Sequence, residues 1–156
     1  MPTTGVEFST VLERIARDTL AALDGLSDEL LNRPIPLPEA NTLYALATHL
    51  AGAGEHWALV LAGGRDIPRD RPAEFRASGT LADLVTRYER WITDLHVVLD
   101  DLPDAALAWI VDRAPYRSWQ GDEPLTVLAC LLHAVEHSAL HLGHIQLTRQ
   151  LLLAGE

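Results

Sequence analysis

Apolar side chains recur along this chain at helical intervals, and they never alternate convincingly at period two. The clearest stripe is Leu81, Leu84, Val85, Tyr88, Trp91, Ile92, Leu95, Val98 and Leu99. It lines one face of a helix that Thr80 caps and Pro103 breaks. Val11, Ile15, Leu20, Leu23 and Leu26 mark an earlier helix over about residues 5–31, with Thr3 or Thr4 as its cap. Three prolines in "NRPIPLPEA" stop it, because proline lacks the amide hydrogen and crowds the preceding turn. Asn41 suits the N-cap of a second long helix over about 42–62, which Gly63 and Gly64 end. A last helix is expected to take Pro124 as its first residue and to reach Ala154.

The connections add topology. Residues 64–79 form a long polar stretch with two prolines, and residues 108–123 are irregular, with an extended piece around "AWIVDRA". Four long helices without strands predict an all-α fold, a four-helix bundle in one domain over residues 1–156. The second helix spans on the order of 30 Å at ~1.5 Å per residue. The connection after it reaches roughly 50 Å at ~3.3 Å per residue, so a long crossover can set helices two and three parallel. A connection of this length is also a natural lid or binding loop.

Composition narrows the function classes. Acidic residues outnumber basic ones 22 to 12, a formal net charge of −10, which repels a phosphate backbone. The nearest basic cluster, "GGRDIPRDRP", dilutes its arginines with aspartates. The same charge disfavours a basic membrane-surface helix, and no apolar run is long enough to span a bilayer. The opening "MPTTGVEFST" lacks the charged and apolar regions of a signal peptide. Cys130 is the single cysteine, so a disulfide framework is excluded. The expectation is a cytoplasmic protein with neither nucleic-acid nor membrane partners.

Four of the seven histidines fall in "HAVEHSALHLGH". His133, His137 and His141 recur every four residues and His144 follows three later, which puts them along one side of a helix. Two histidines at i and i+4 can reach a single metal ion, and a third donor must then come from another helix. The second helix offers His49 in "LATHLAGAGEHW", flanked by Leu46, Leu50 and Ala53, with His56 seven residues later. Any one of these histidines is more simply a solvated or carbonyl-bonded side chain. His137 and His141 together differ, because their stripe is apolar and a buried imidazole needs a partner. Neutral imidazole suits zinc, nickel, iron or copper. The carboxylate of HExxH is missing, so no metalloprotease motif is present. Trp57, Trp91, Trp109 and Trp119 are read as core or loop anchors and Cys130 as a small core residue. Arg65, Arg69 and Arg71 on the long connection are candidates for holding an anionic substrate, against the default of a solvated loop.

"LLHAVEHSALHLGHIQL" resembles the last-helix motif of DinB-like proteins, commonly H-x-x-N-H-x-x-x-H-R-G-Q, and "LATHLAGAGEHW" resembles their second-helix motif. The order of the motifs and the four-helix layout agree as well. The resemblance implies a divalent metal, with zinc, nickel or iron foremost, held by His49, His137 and His141; Gly143 matches the motif glycine and sets that register. Leu142 stands in place of the usual arginine, His144 of glutamine and Glu136 of asparagine. Glu136 is then either an orienting carboxylate or an exposed helix residue, and His133 and His56 either line the pocket or pack. Glu55, His56 and His144 are positional candidates for a general acid or base. The family shares its fold with thiol-dependent transferases and mycothiol-dependent maleylpyruvate isomerases. The implied reaction is transfer of a low-molecular-weight thiol, such as mycothiol or bacillithiol, to a small molecule, or a related isomerisation. Metal-dependent hydrolysis uses the same parts. The rival is a non-catalytic metal-binding or sensor bundle, closed by a fourth ligand such as His56 or His144. A homodimer through a helix face is also implied.

Overall fold

The structure, a computed structural model, describes residues 3–112 and 124–155. Its helices are α1 (Thr4–Leu23), α2 (Asp28–Leu31), α3 (Leu43–Gly54), α4 (Arg71–Glu74), α5 (Leu81–Leu99) and α6 (Val127–Ala154). A π-helical segment, Glu55–Ala62, continues α3, and a 3₁₀ turn, Asp104–Ala108, follows α5. The architecture is all-α, and α1, α3 with its continuation, α5 and α6 make the four-helix bundle.

Side-chain pairings give the directions. Gly79 packs on Tyr44, the Tyr88 hydroxyl donates to the Ala47 carbonyl at 2.8 Å, Gly54 meets Trp91, and Gly63 meets Val98. Residue numbers rise together along both elements, so α3 and α5 run parallel, as the long crossover allows. Glu13 meets His96 and Arg17 meets Glu89, so α1 runs against α5. His49 lies beside His141 and Trp57 beside His133, so α6 runs against α3.

Every residue of α3 is buried. A helix apolar on all sides must sit inside, and its alanines and glycines let its neighbours approach closely. Gly54 is required there, because a Cβ would enter the Trp91 indole. α5 instead buries one stripe, Leu84, Tyr88, Trp91, Ile92, Leu95 and Leu99. Thr80 and Asp83 close a capping box at its start: the Thr80 hydroxyl accepts from the Asp83 amide, and the Asp83 carboxylate accepts from the Thr80 amide.

Several boundaries differ from the expectation. The first helix stops at Leu23 rather than near Leu31, because Gly25 adopts φ 74°, a left-handed conformation that glycine takes without strain. The chain restarts as α2 under Ser27, whose hydroxyl accepts from the Leu30 amide. Thr42, not Asn41, caps α3 by accepting from the Ala45 amide at 3.1 Å. α5 ends at Leu99, before Pro103; the Thr3 hydroxyl donates to the next carbonyl, that of Asp100. The last helix starts at Val127 under Thr126 rather than at Pro124. Residues around Thr126 are held extended instead, in an antiparallel bridge to Ile110 flanked by bonds between Val111 and Leu125 and between Val127 and Trp109. That bridge is the extended piece expected around "AWIVDRA". Trp57 and Trp91 lie in the core, whereas Trp109 is 60% exposed, its carbonyl accepting from the Val127 amide. Trp119 lies outside the described residues.

The connection after the second helix is more than a solvated loop. It forms α4, capped by Asp70 with Pro72 in the first turn, and buries Glu74. Among the described residues no helix is long and apolar enough to cross a membrane.

Candidate metal centre

α3 carries His49 into the interior, 3% exposed, and α6 presents His137 and His141 one turn apart beside it. Ring centroids are 5.1 Å apart for His49 and His137, 4.8 Å for His49 and His141, and 4.4 Å for His137 and His141. One ring nitrogen from each lies within 4.8 Å of the others. Nitrogens around one tetrahedral ion with bonds of ~2.0–2.1 Å sit roughly 3.4 Å apart, so small side-chain rotations bring this set onto one ion.

The electrostatics suit a cation. Burial first, and then the neighbouring imidazoles of His141, His49 and His133, depress the His137 pKa to about 3. Burial, then His49 and His144, depress that of His141 to about 4. Both rings are therefore neutral at pH 7 and keep the lone pair that a metal needs. Nδ1 of His137 and Nδ1 of His141 are buried without a hydrogen-bond partner among the described residues. Orphaned polar atoms of this kind are uncommon in folded proteins. A neutral three-imidazole donor set with two such atoms fits a borderline divalent ion.

Among the described residues His49 is the one ring of the three with a hydrogen-bond partner outside the cluster. Its Nδ1 lies 2.7 Å from the Glu74 carboxylate, which leaves Nε2 for the cluster. Glu74, 6% exposed, takes two further bonds from Arg69, at 2.7 and 3.0 Å. Burial raises the Glu74 carboxyl, but the bonds from His49 and Arg69 outweigh it and hold the group below its ordinary range. Phe75 lies 4.5 Å from the His49 ring, with the Arg71 guanidinium 5.1 Å above it. Arg69 is thus engaged by Glu74, and the Arg71 guanidinium lies over the Phe75 ring.

The other candidates fall around this centre. His133 packs on Trp57 at 4.1 Å and stands 5.6 Å from His137. His144 is exposed, stacked 6.0 Å from His141, and Glu136 is exposed on the outside of α6. His56 does not join the cluster. It sits in the π-helical segment, whose smaller angular step turns it towards a cavity of about 250 Å³ shared with Thr48, Gly52, Arg69 and Glu74. Burial foremost depresses its pKa to about 4. Glu55 borders the same cavity and is paired with Arg87 at 2.8 Å. Cys130 is fully buried, and burial pushes its thiol up to about 11.

Sequence reasoning missed Glu74. It lies 25 residues from His49 in a polar stretch, and the one local cue is the helix start Asp70-Arg71-Pro72 that positions it. Gly52 belongs to the same device, since a Cβ there would meet the Glu74 carboxylate.

Comparison with known proteins accords with this fold. A conserved protein from Enterococcus faecalis is similar with a TM-score of 0.78 and 17% identity, over 100% of both chains. A DinB-like protein from Bacillus cereus ATCC 10987 is similar with a TM-score of 0.65 and 21% identity, over 90% of this chain and 86% of that one. At such identities the likeness speaks for the fold alone. No curated protein matches the sequence. The sequence match to the DinB superfamily runs over residues 12–145, from α1 through both histidine-bearing helices, and the chain belongs to that superfamily.

Proposed function

We propose that this protein is a divalent-metal-dependent enzyme that transfers a low-molecular-weight thiol, of the mycothiol or bacillithiol kind, to a small electrophile, with His49, His137 and His141 as ligands. The observation that carries the reading is the convergence of three imidazole nitrogens within 4.8 Å. Among the described residues the cluster has three members, which favours an open coordination position over a closed structural site. A bound ion would supply Lewis acidity, bringing the pKa of a coordinated thiol or water towards neutrality. In the transfer the thiol gives up its proton to solvent, sulfur bonds to the electrophilic carbon, and the leaving group departs with its bonding pair. The choice of a thiol rests on the resemblance of the two histidine motifs to thiol-using relatives.

Elemental analysis of protein purified without chelator or metal resin tests the centre. About one equivalent of transition metal per chain is expected, lost in His49→Ala and His137→Ala. Thiol consumption in the presence of an electrophilic chromophore then tests the reaction. A wild-type chain that neither carries nor takes up metal overturns the reading.

The outer face of α6 supports pairing of two copies. Leu128, Leu132, Glu136, Leu140 and His144 are exposed along one inclined ridge, and Leu147 and Leu151 are exposed on the same side of the helix. Glu136 and His144 lie four residues to either side of Leu140. A two-fold antiparallel contact centred on Leu140 sets Leu140 against Leu140 and each Glu136 beside the other copy's His144. Light scattering should find a dimer that Leu140→Glu turns into a folded monomer. A wild-type monomer at micromolar concentration refutes the pairing.

A further inference from the structure

The support around the three histidines is lopsided. Among the described residues Nδ1 of His137 and Nδ1 of His141 have no hydrogen-bond partner, whereas His49 is gripped on two sides by one short stretch of the connection between α3 and α5. Glu74 fixes its Nδ1 edge, Phe75 lies against its ring, Arg69 holds Glu74, and Arg71 covers Phe75. Gly52 leaves the space that the Glu74 carboxylate fills. From this geometry we infer that Glu74 and Arg69 are positioning residues for the histidine centre, and that metal loading and anchoring of the 64–79 connection stabilise each other. The inference rests on the metal-centre reading proposed above.

The physical argument runs through one proton. A carboxylate 2.7 Å from Nδ1 keeps the proton on that nitrogen and leaves the lone pair on Nε2, free to serve the cluster with His137 and His141. Without Glu74, the other tautomer and other ring orientations become accessible, and the third ligand is no longer preorganised. A cation held by His49 would draw electron density from the ring and make Nδ1–H a stronger donor. The bond to Glu74 would then tighten, and with it the hold on α4. Because binding free energies are reciprocal, the factor by which the formed anchor strengthens metal binding is the factor by which bound metal would favour the anchor. Outer carboxylates that orient ligand histidines commonly contribute ~10- to 100-fold in metal affinity.

The connection supplies its own reporter, since Arg65, Arg69 and Arg76 are sites for trypsin. Zinc affinity would be measured by chelator competition on the full chain and on Glu74→Gln, Glu74→Ala, Arg69→Met and His49→Ala. Far-UV circular dichroism would check that each variant is folded. Trypsin cleavage between α3 and α5 would be timed with and without zinc. Glu74→Ala should lose ~10- to 100-fold in zinc affinity, with Glu74→Gln and Arg69→Met falling between it and the wild type. Zinc should slow cleavage in the wild type and fail to do so in Glu74→Ala. If His49→Ala abolishes zinc binding while folded Glu74→Ala binds like the wild type, the positioning role is wrong and the metal centre stands. If the wild type binds no zinc, the metal centre falls and this inference with it. If affinity drops as expected but zinc leaves wild-type cleavage unchanged, the coupling to the connection is refuted.

Discussion

Replacing Arg87 by methionine strips the partner from a carboxylate that the fold has already removed from water. Glu55 is 8% exposed, and the Arg87 guanidinium reaches it from α5 with contacts of 2.8 and 3.3 Å. Methionine keeps the apolar stem of arginine and removes its charge and donors. Breaking a buried ion pair from one side costs roughly 3–5 kcal/mol, because the remaining charge is left uncompensated. Arg87 keeps 30% of its side chain exposed and the pair borders the 250 Å³ cavity, so water can reach the stranded carboxylate. The low end, about 3 kcal/mol, is therefore expected. For a chain of this length that corresponds to a fall in Tm of roughly 6–12 °C. Glu55→Gln combined with Arg87→Met removes both charges with little change of shape and should recover all but about 1 kcal/mol. Urea unfolding followed by circular dichroism gives the three stabilities. A double variant as unstable as Arg87→Met alone would refute the reasoning, by showing that the lost contacts of the guanidinium, not the stranded charge, set the cost. Glu55→Gln should also leave zinc binding unchanged, since its carboxylate is engaged by Arg87 and is not among the clustered ligands.

The His96 ring bridges Glu13 at 2.8 Å and Asp100 at 3.0 Å, and these bonds, that to Glu13 first, raise its pKa above 6.5. A raised folded value contributes stability that is complete below pH 6.5 and is lost as pH climbs through that value, so wild-type urea midpoints should fall from pH 6 to pH 9 more than those of His96→Gln. The ring is 35% exposed, so the difference should stay under about 1 kcal/mol, and equal falls in the two proteins would refute the linkage. Cys130 should resist a thiol reagent at pH 8 in the folded protein and react once it is unfolded, because burial both blocks access and keeps the thiolate rare. Native labelling at the rate of a free thiol would contradict the buried placement.

Local pattern went far with this chain. The Leu84-to-Leu99 stripe and its Thr80 cap depend on side chains within a few residues of each other, so period and capping chemistry are legible before any fold is known. The spacing of His137 and His141 is likewise a property of the α-helix itself, and their pairing with His49 needed only two helices side by side. Boundaries were less legible where distant partners set them. Residues around Thr126 are extended because Ile110 lies across from them, and nothing near Pro124 announces this.

By itself the sequence determined that the chain is helical, that four long helical segments carry the bundle, and that two of them carry histidines on their inner sides. Each of these follows from side chains whose spacing along one helix dictates their direction. Only the tertiary structure decided what surrounds the histidines. The Glu74 carboxylate reaches His49 because Asp70 starts a helix of one turn and Gly52 yields its space. Arg69 turns inward because a buried carboxylate must be compensated. Contacts of this kind join residues far apart in the chain, and their energy depends on burial that no local pattern encodes.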